Sequence, residues 1–156
     1  MTRLPVVLAV LVHLVLVPIL APISPSTAAL AAETAPASAD AAEKPAIVAV
    51  IQGQLDAFQR DDADAAFGYA SPMIQGMFGS PATFIGMVRQ GYPPVYRPRG
   101  VDFLDLAVVD GRLTQRVLLV GPDGAAVVAL YFMERQPDGA WRIDGCVLLE
   151  APGRSA

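Results

Sequence analysis

The pattern of hydrophobic and polar positions changes twice near the start of the chain. An almost continuous apolar run occupies residues 4–23, and a stretch of alanine, proline and charged residues fills positions 32–44. From Pro45 onward, apolar side chains recur at the spacing of one helix face. These positions are Ile47, Val48, Ile51, Leu55 and Phe58. The pattern therefore predicts a first helix that starts at Pro45, whose ring suits the first helical turn.

Capping residues divide the following segment into short helices. The acidic residues at 61–64 fit an N-cap and first turn of a helix through Ala70. Ser71-Pro72 and Ser80-Pro81 each place a capping oxygen before a proline at the first helical position, and Gly79 and Gly91 fit the ends. We therefore expect three or four helices in the amino-terminal half.

After Pro94 the pattern becomes that of β-strands. Four segments are rich in β-branched or large apolar residues: Val101–Val109, Arg112–Val120, Ala125–Arg135 and Trp141–Leu149. Turn sequences such as Asp110-Gly111 separate them, which predicts an antiparallel meander. A short fifth strand near Val95–Arg97 remains open. Helices followed by an antiparallel sheet of four to five strands define an α+β fold.

The third predicted strand is apolar on both faces, so both faces need cover. Val127, Ala129, Tyr131 and Met133 point one way, and Val128, Leu130 and Phe132 the other. The helices can cover one face, and a curled sheet beneath them would enclose a pocket. The other face, with Leu118 and Val120, would meet a partner subunit or be covered by curling of its own sheet. We predict a homodimer through this face.

The start of the chain has the three parts of a secretory signal peptide. Arg3 precedes the apolar run, and Ala29-Leu30-Ala31 offers a cleavage site. We expect residues 1–31 to be a cleaved signal peptide, 32–44 a flexible linker, 45–150 the folded domain and 151–156 a tail. The protein is then periplasmic or secreted and meets a membrane only through its leader. A retained membrane anchor is the alternative.

Composition excludes several kinds of chemistry. Cleavage would remove His13, the only histidine of the sequence, so His-based hydrolase triads and zinc sites are not expected. A single cysteine excludes a disulfide framework, and a net charge of −4 disfavours nucleic-acid binding. The acidic residues at 61–64 lack the glycine and glutamate of a calcium loop, since Phe67 and Met73 occupy those places. We predict no metal and no cofactor.

Several separated stretches resemble known families. An Asp-Gly-x-Trp-x-Ile hairpin at Asp138–Ile143 resembles that of the nuclear transport factor 2-like (SnoaL-like) cone fold. More narrowly, six stretches resemble the bacterial domain-of-unknown-function family numbered 4864: Gln54–Phe58, Ala66–Pro72, Phe78-Gly79, Phe84–Val88, Tyr92–Tyr96 and Gly139–Cys146. The resemblance implies a single cone-shaped domain, and it supplies no catalytic residues. The wider superfamily includes isomerases and dehydratases as well as binding and assembly domains.

Five polar side chains are candidates for ligand contact: Gln54, Tyr92, Tyr96, Arg97 and Tyr131. Gln54 borders the apolar stripe of the first helix, and Tyr131 lies mid-strand, so either could enter the cone. Tyr92, Tyr96 and Arg97 join the helices to the sheet, where hydroxyls and a guanidinium could hold a polar ligand group. Ordinary structural hydrogen bonding is the alternative for all five.

Near the end of the chain, Asp144 and Cys146 are expected to share one face of the last strand. Gly145, between them, is expected to mark a bulge or a close contact.

Three functions remain open. The first is a binding module whose apolar pocket takes a small apolar molecule or a partner. The second is an isomerase or dehydratase that uses an Asp and a Tyr in the cone. The third is a structural dimer or envelope assembly module. An enzyme needs a buried carboxylate near a tyrosine hydroxyl, and a binding module needs an open apolar cavity. An assembly module predicts a closed cone and a large apolar surface.

Overall fold

The computed structural model describes residues 36–151 as helices followed by an antiparallel sheet, which confirms the α+β class. The helices are α1 (Pro36–Gln59), α2 (Ala63–Gly68), α3 (Pro72–Phe78), α4 (Pro81–Gly91) and α5 (Pro93–Tyr96). The strands are β1 (Gly100–Val109), β2 (Arg112–Val120), β3 (Ala126–Arg135) and β4 (Trp141–Glu150), paired in the order β1-β2-β3-β4. The expected signal peptide at 1–31, the first linker residues and the tail beyond Ala151 lie outside the described residues.

Helix α1 begins well before the predicted start at Pro45, so the expectation of a flexible linker through Lys44 is wrong from Pro36 onward. Contacts with the sheet explain the difference. Lys44 Nζ donates to the carbonyl of Leu104 at 2.6 Å, and Glu43 accepts from Trp141 Nε1 at 2.9 Å. The local sequence pattern of an alanine-rich segment does not predict contacts with residues so far along the chain. Pro45 lies inside the helix.

The predicted caps of the short helices are confirmed. Asp62 accepts from the backbone N–H of Ala65, Ser71 from that of Ile74 and Ser80 from that of Thr83. The possible strand near Val95–Arg97 is wrong, because Pro93–Tyr96 forms α5 instead. A proline at the first helical position is pre-organised for such a turn.

The strands occupy the predicted segments to within one residue at each end. Asp110 and Gly111 both adopt positive φ (50° and 75°), the conformation that a two-residue hairpin turn requires. The β1–β2 register shifts between Phe103 and Leu106. There the side-chain amide of Gln115 donates to the carbonyls of Leu104 and Asp105, both at 3.2 Å. These bonds give the two carbonyls a partner where the register shift interrupts the regular pairing of the strands.

One face of the sheet packs against α1, and we call it the inner face. The predicted apolar stripe of α1 is buried at Ile47, Ile51, Leu55 and Phe58, while Val48 is half-buried. The buried inner-face residues in the same cluster are Val117, Leu119, Ala129, Tyr131, Met133 and Ile143. The hydrophobic core therefore lies between α1 and this face.

The opposite face, the outer face, is also apolar, as predicted for β3. Cross-strand pairing aligns its side chains: Leu118, Val128, Leu130, Phe132, Val147 and Leu149. Val147 and Leu149 are 44% and 48% exposed. Two ion pairs flank the apolar residues, Arg116 with Asp105 and Arg112 with Asp144.

A bulge in β4 overturns the expectation that Asp144 and Cys146 share a face. Phe132 pairs with Gly145 and Met133 with Ile143, so Asp144 is an extra residue. Asp144 pairs with Arg112, whereas Cys146 pairs with the inner-face Tyr131. Gly145 has the predicted close contact, because a Cβ there would lie 3.3 Å from Phe132 Cδ2.

Candidate functional site

A pocket of about 240 Å³ lies between the helices and the inner face of the sheet. Its lining is mainly aromatic and aliphatic: Gln54, Phe58, Ala70, Ile74, Met77, Phe78, Phe84, Met87, Val88, Tyr92, Val95, Tyr131, Ile143, Gly145 and Cys146. Three of the five predicted ligand contacts, Gln54, Tyr92 and Tyr131, are thus brought together here. Pockets that bind small molecules are typically apolar with few polar groups.

The polar side chains of the pocket differ in how far their hydrogen bonds are satisfied. Gln54 Nε2 donates to the carbonyl of Ala66 at 3.1 Å, which ties α1 to α2. The Tyr92 hydroxyl donates to the carbonyl of Cys146 at 3.3 Å. The Tyr131 hydroxyl is fully buried and has no partner among the described residues. Tyr131 therefore contributes the one unsatisfied hydroxyl of this described lining.

Burial favours the uncharged forms of Tyr131 and Cys146 in the pocket. Burial raises the pKa of the Tyr131 hydroxyl well above its usual value, so this group stays protonated. Burial likewise raises the pKa of the Cys146 thiol to about 12. The described lining contains no Asp, Glu, Lys or Arg. The pocket is therefore electrically neutral at pH 7, and its hydroxyl and thiol can act as donors.

Helix α3 forms a wall of the pocket that the sequence analysis did not assign to the site. Ile74, Met77 and Phe78 line the pocket from this helix. Their i, i+3, i+4 spacing is the signal that could have identified them. None of the α3 residues is fully buried, and Met77 is 66% exposed, so this wall lies at the protein surface.

Aromatic rings from α1, α2, α3 and α4 pack together at one side of the pocket. Phe84 lies 6.0 Å from Phe58, 5.5 Å from Phe67 and 5.5 Å from Phe78, measured between ring centroids. Phe58 also contacts Tyr96, which does not line the pocket, with ring centroids 6.1 Å apart. Phe58 is therefore the partition between the pocket and a neighbouring group of polar side chains.

That neighbouring group, the surface cluster, consists of Asp61, Arg89, Tyr96 and Arg97. It contains the other two predicted ligand contacts, Tyr96 and Arg97, which do not line the pocket. Arg89 Nη2 lies 3.0 Å from Asp61 Oδ1, and Arg97 Nη2 lies 2.8 Å from Asp61 Oδ2. Both guanidinium groups also lie over the Tyr96 ring, at 5.2 and 4.2 Å from its centroid. The polar groups of this cluster are thus bonded to one another.

The surface cluster fastens the end of α1 to α4 and α5. The Arg97 guanidinium donates to the carbonyl of Phe58 in the last turn of α1. Asp61 follows with a φ of 58°, a left-handed conformation that Asp tolerates better than most residues. The Tyr96 hydroxyl bond, with help from Arg89 and Arg97, lowers the pKa of Asp61 to about 2. These bonds describe a structural clamp.

Comparison with known proteins gives one match. The family model described as "Domain of unknown function (DUF4864)" matches residues 40–156, which include every described strand and nearly all of the described helical residues. The chain belongs to the DUF4864 family. No curated protein and no solved structure matches it. The DUF4864 match thus agrees with the family resemblance drawn from the sequence motifs, and it carries no activity with it.

The carboxylate nearest in sequence to the pocket lining of this DUF4864 domain is engaged elsewhere. Asp144 accepts a hydrogen bond from Ser71 Oγ at 2.7 Å and pairs with Arg112. Ser71 also continues the backbone of the sheet, because its N–H donates to the carbonyl of Ile143 at 2.8 Å. Asp144 therefore anchors the start of α3 to β4.

Two further observations concern metal-binding side-chain clusters and membrane-spanning helices in the DUF4864 domain. Within residues 36–151, no group of three or more His, Cys, Asp or Glu side chains is arranged to hold a metal ion. Over the same described range, no helix combines the length and apolar character needed to cross a bilayer.

Proposed function

We propose that this domain is a binding module whose pocket takes a small apolar molecule. The observation that carries the proposal is the lining itself, which is apolar and uncharged apart from a few neutral polar groups. Transfer of an apolar molecule from water into such surroundings is favourable, at roughly 25 cal/mol per Å² of apolar surface buried. A charged metabolite would lose its hydration and meet no opposite charge in the described lining.

The volume of the pocket sets the size of the ligand. An apolar protein cavity of roughly 150 Å³ is enough to hold benzene. A pocket of about 240 Å³ is larger by roughly half. It suits a molecule of roughly ten non-hydrogen atoms. The exposed α3 wall, with Met77 at its surface, is the route of entry that we propose.

The two other functions have less support. An isomerase or dehydratase needs a carboxylate beside a tyrosine hydroxyl in the cone, and Asp144 is bonded to Ser71 and Arg112 instead. A purely structural module predicts a closed cone, which an open apolar pocket does not favour. We also propose that the domain belongs to the nuclear transport factor 2-like superfamily, because helices packed on one face of an antiparallel meander are compatible with that cone.

A nuclear magnetic resonance titration with α-methylstyrene tests the binding proposal. We expect shifts of backbone amides that are confined to the pocket lining, with a Kd of about 1 mM or tighter. Ile74→Trp, which fills the pocket from α3, should abolish them. The matched control Met73→Trp changes an exposed neighbour outside the lining and should retain binding. An absence of shifts, or shifts centred on Val147 and Leu149, would contradict the proposal.

We propose further that the protein is exported, with residues 1–31 removed after Ala31. The basic start, the apolar run and the Ala29-Leu30-Ala31 site support this. Mass spectrometry of the protein from the periplasm and culture medium tests it. An amino terminus at or near Ala32 is expected, and a mature protein that still begins at Met1 or Thr2 would refute export with cleavage.

The outer face supports a homodimer as the partner proposal. A second copy would cover Val147 and Leu149, and the flanking pairs Arg116–Asp105 and Arg112–Asp144 leave little net charge to repel it. Apolar patches with polar rims commonly form contact surfaces, and two-fold dimers are the commonest closed assemblies.

Sedimentation velocity at micromolar concentration tests the homodimer. We expect a dimer that Leu149→Asp converts to a monomer. Val108→Asp, a control at an exposed apolar residue of β1 away from the outer face, should leave the dimer intact. A monomeric unmodified protein would refute the proposal.

A further inference from the structure

The hydroxyl of Tyr131 is unusual among the polar groups of the core. Tyr131 is 0% exposed, and its hydroxyl has no hydrogen-bond partner within the described part of the chain. Buried polar groups in folded proteins are nearly always paired, because an unpaired one loses its hydration without compensation. A Tyr hydroxyl left unpaired beside an open pocket therefore calls for a partner that arrives with the ligand.

The surroundings of this hydroxyl define what it can bind. Tyr131 pairs across the sheet with Cys146, which also lines the pocket. Because burial raises the pKa values of both groups, the hydroxyl keeps its proton and donates. A protonated hydroxyl can donate and accept, and its proton is satisfied only when the partner supplies an acceptor atom, such as the oxygen of a carbonyl or an ether.

Charge in and around the pocket excludes an ionised acceptor. No cationic side chain is among the described residues that line the pocket. The nearby guanidinium groups are already engaged, those of Arg89 and Arg97 with Asp61, and that of Arg112 with Asp144. A carboxylate ligand would be buried without a counter-charge, which costs far more than one hydrogen bond returns.

We infer that the ligand class of the pocket is a neutral, mostly apolar molecule with one hydrogen-bond acceptor oxygen, which the Tyr131 hydroxyl binds. This inference rests on the proposed binding function and deepens it. According to this inference, the Tyr131 hydroxyl determines which of several ligands of equal size binds most tightly. The apolar lining supplies most of the binding free energy for all of them.

Three probes of nearly equal shape and the same number of non-hydrogen atoms separate these contributions. Acetophenone carries a carbonyl oxygen, α-methylstyrene replaces it with a methylene group, and benzoate carries a negative charge. In the unmodified full chain, resonance titrations should give a Kd for acetophenone at least a hundredfold tighter than for benzoate at pH 7. Tyr131→Phe should weaken acetophenone about five- to tenfold and change α-methylstyrene less than twofold.

Tyr92→Phe is the matched control, because it removes a hydroxyl from the same pocket that already has a partner in the carbonyl of Cys146. It should change the affinities for acetophenone and α-methylstyrene by the same factor. The amide spectrum of each variant shows whether it remains folded, and α-methylstyrene binding shows whether its pocket remains open.

The outcomes separate the inference from the function on which it rests. If both neutral probes bind and Tyr131→Phe weakens them equally, the acceptor inference is wrong and the binding function stands. Benzoate that binds as tightly as acetophenone would also overturn the inference. If none of the three probes binds the unmodified chain, the proposed function itself fails.

Discussion

Tyr131 and Tyr96 are both tyrosines with the features of a ligand contact, and the fold places them in opposite surroundings. Tyr131 is fully buried in an uncharged pocket, and its hydroxyl is unpaired among the described residues. The hydroxyl of Tyr96 donates to Asp61 and accepts from Arg89 at the surface, where its ring also contacts Arg97. One hydroxyl has no partner among the described residues, and the other is occupied by the protein.

This difference separates two uses of polar side chains. In the surface cluster, charges and hydroxyls satisfy one another and fasten α1 to α4 and α5, so their loss should act on stability. In the pocket, an unsatisfied hydroxyl adds nothing to stability and should act on binding. Phe58 contacts both regions and provides the strongest test of the division.

Phe58→Ala should have the largest effect, because it removes a buried ring from the core and from the pocket wall. We expect the free energy of unfolding to fall by about 3–5 kcal/mol. Urea denaturation measures this loss. A loss below roughly 1 kcal/mol would mean that the partition between pocket and cluster is not packed as described.

Arg97→Ala should cause the second largest loss of unfolding free energy. It removes the donor to the Phe58 carbonyl and the pair with Asp61, and we expect a loss of about 1–2 kcal/mol. Arg89→Ala is the matched control. It should cost less, since Arg89 is half exposed and its side chain donates to Tyr96 and Asp61, which lie outside α1. α-Methylstyrene should bind both variants with unchanged affinity, and a selective loss of binding in Arg97→Ala would break the division.

Asp61 gives the cluster a pH dependence of known sign. Its pKa falls from 3.8 to about 2 on folding, chiefly through the Tyr96 hydroxyl bond. Because the folded pKa is the lower one, the stabilisation is fully present above about pH 4 and is lost as the pH falls toward 2. Asp61→Asn keeps a residue that tolerates positive φ.

Urea denaturation of the unmodified protein and of Asp61→Asn between pH 7 and pH 2 measures the stabilisation by the Asp61 carboxylate. The difference in unfolding free energy should be constant at higher pH and shrink in the acidic window. A difference that grows on acidification would contradict the assignment.

Tyr131→Phe should have the smallest effect on stability. Removal of an unpaired buried hydroxyl should leave the free energy of unfolding unchanged or raise it by up to about 1 kcal/mol. Thermal denaturation without ligand measures it. A loss greater than about 1 kcal/mol would show that the hydroxyl has a partner in the folded protein.

Much of the fold follows from local sequence signals. The strands were predicted to within one residue because turns with positive φ at Gly111, Gly124 and Gly139 end them sharply. The serine-proline caps of α3 and α4 are likewise predictable from the local sequence. The early start of α1 is not predictable in this way, because it depends on contacts of Glu43 and Lys44 with residues far along the chain.

The candidate site was predictable only in part, for a geometric reason. Strand alternation grouped Tyr131 with Val127 and Ala129 without deciding which face meets the helices, and helix periodicity put Gln54 at the border of the apolar stripe. Tyr96 lies at the end of α5, which formed in place of the possible strand, and its ring contacts Phe58 instead of lining the pocket. The bulge at Asp144 reversed the direction of that side chain, since one extra residue breaks the period of two.

The carbonyl stretching frequency of bound acetophenone tests the central claim most directly, because it reports the hydrogen bond itself. In the unmodified protein, infrared difference spectra should show a band below that of acetophenone in dry hydrocarbon. In Tyr131→Phe, the band of the bound probe should return to the hydrocarbon value. A hydrocarbon-like band in the unmodified protein, or a lowered band that Tyr131→Phe leaves in place, would contradict the account.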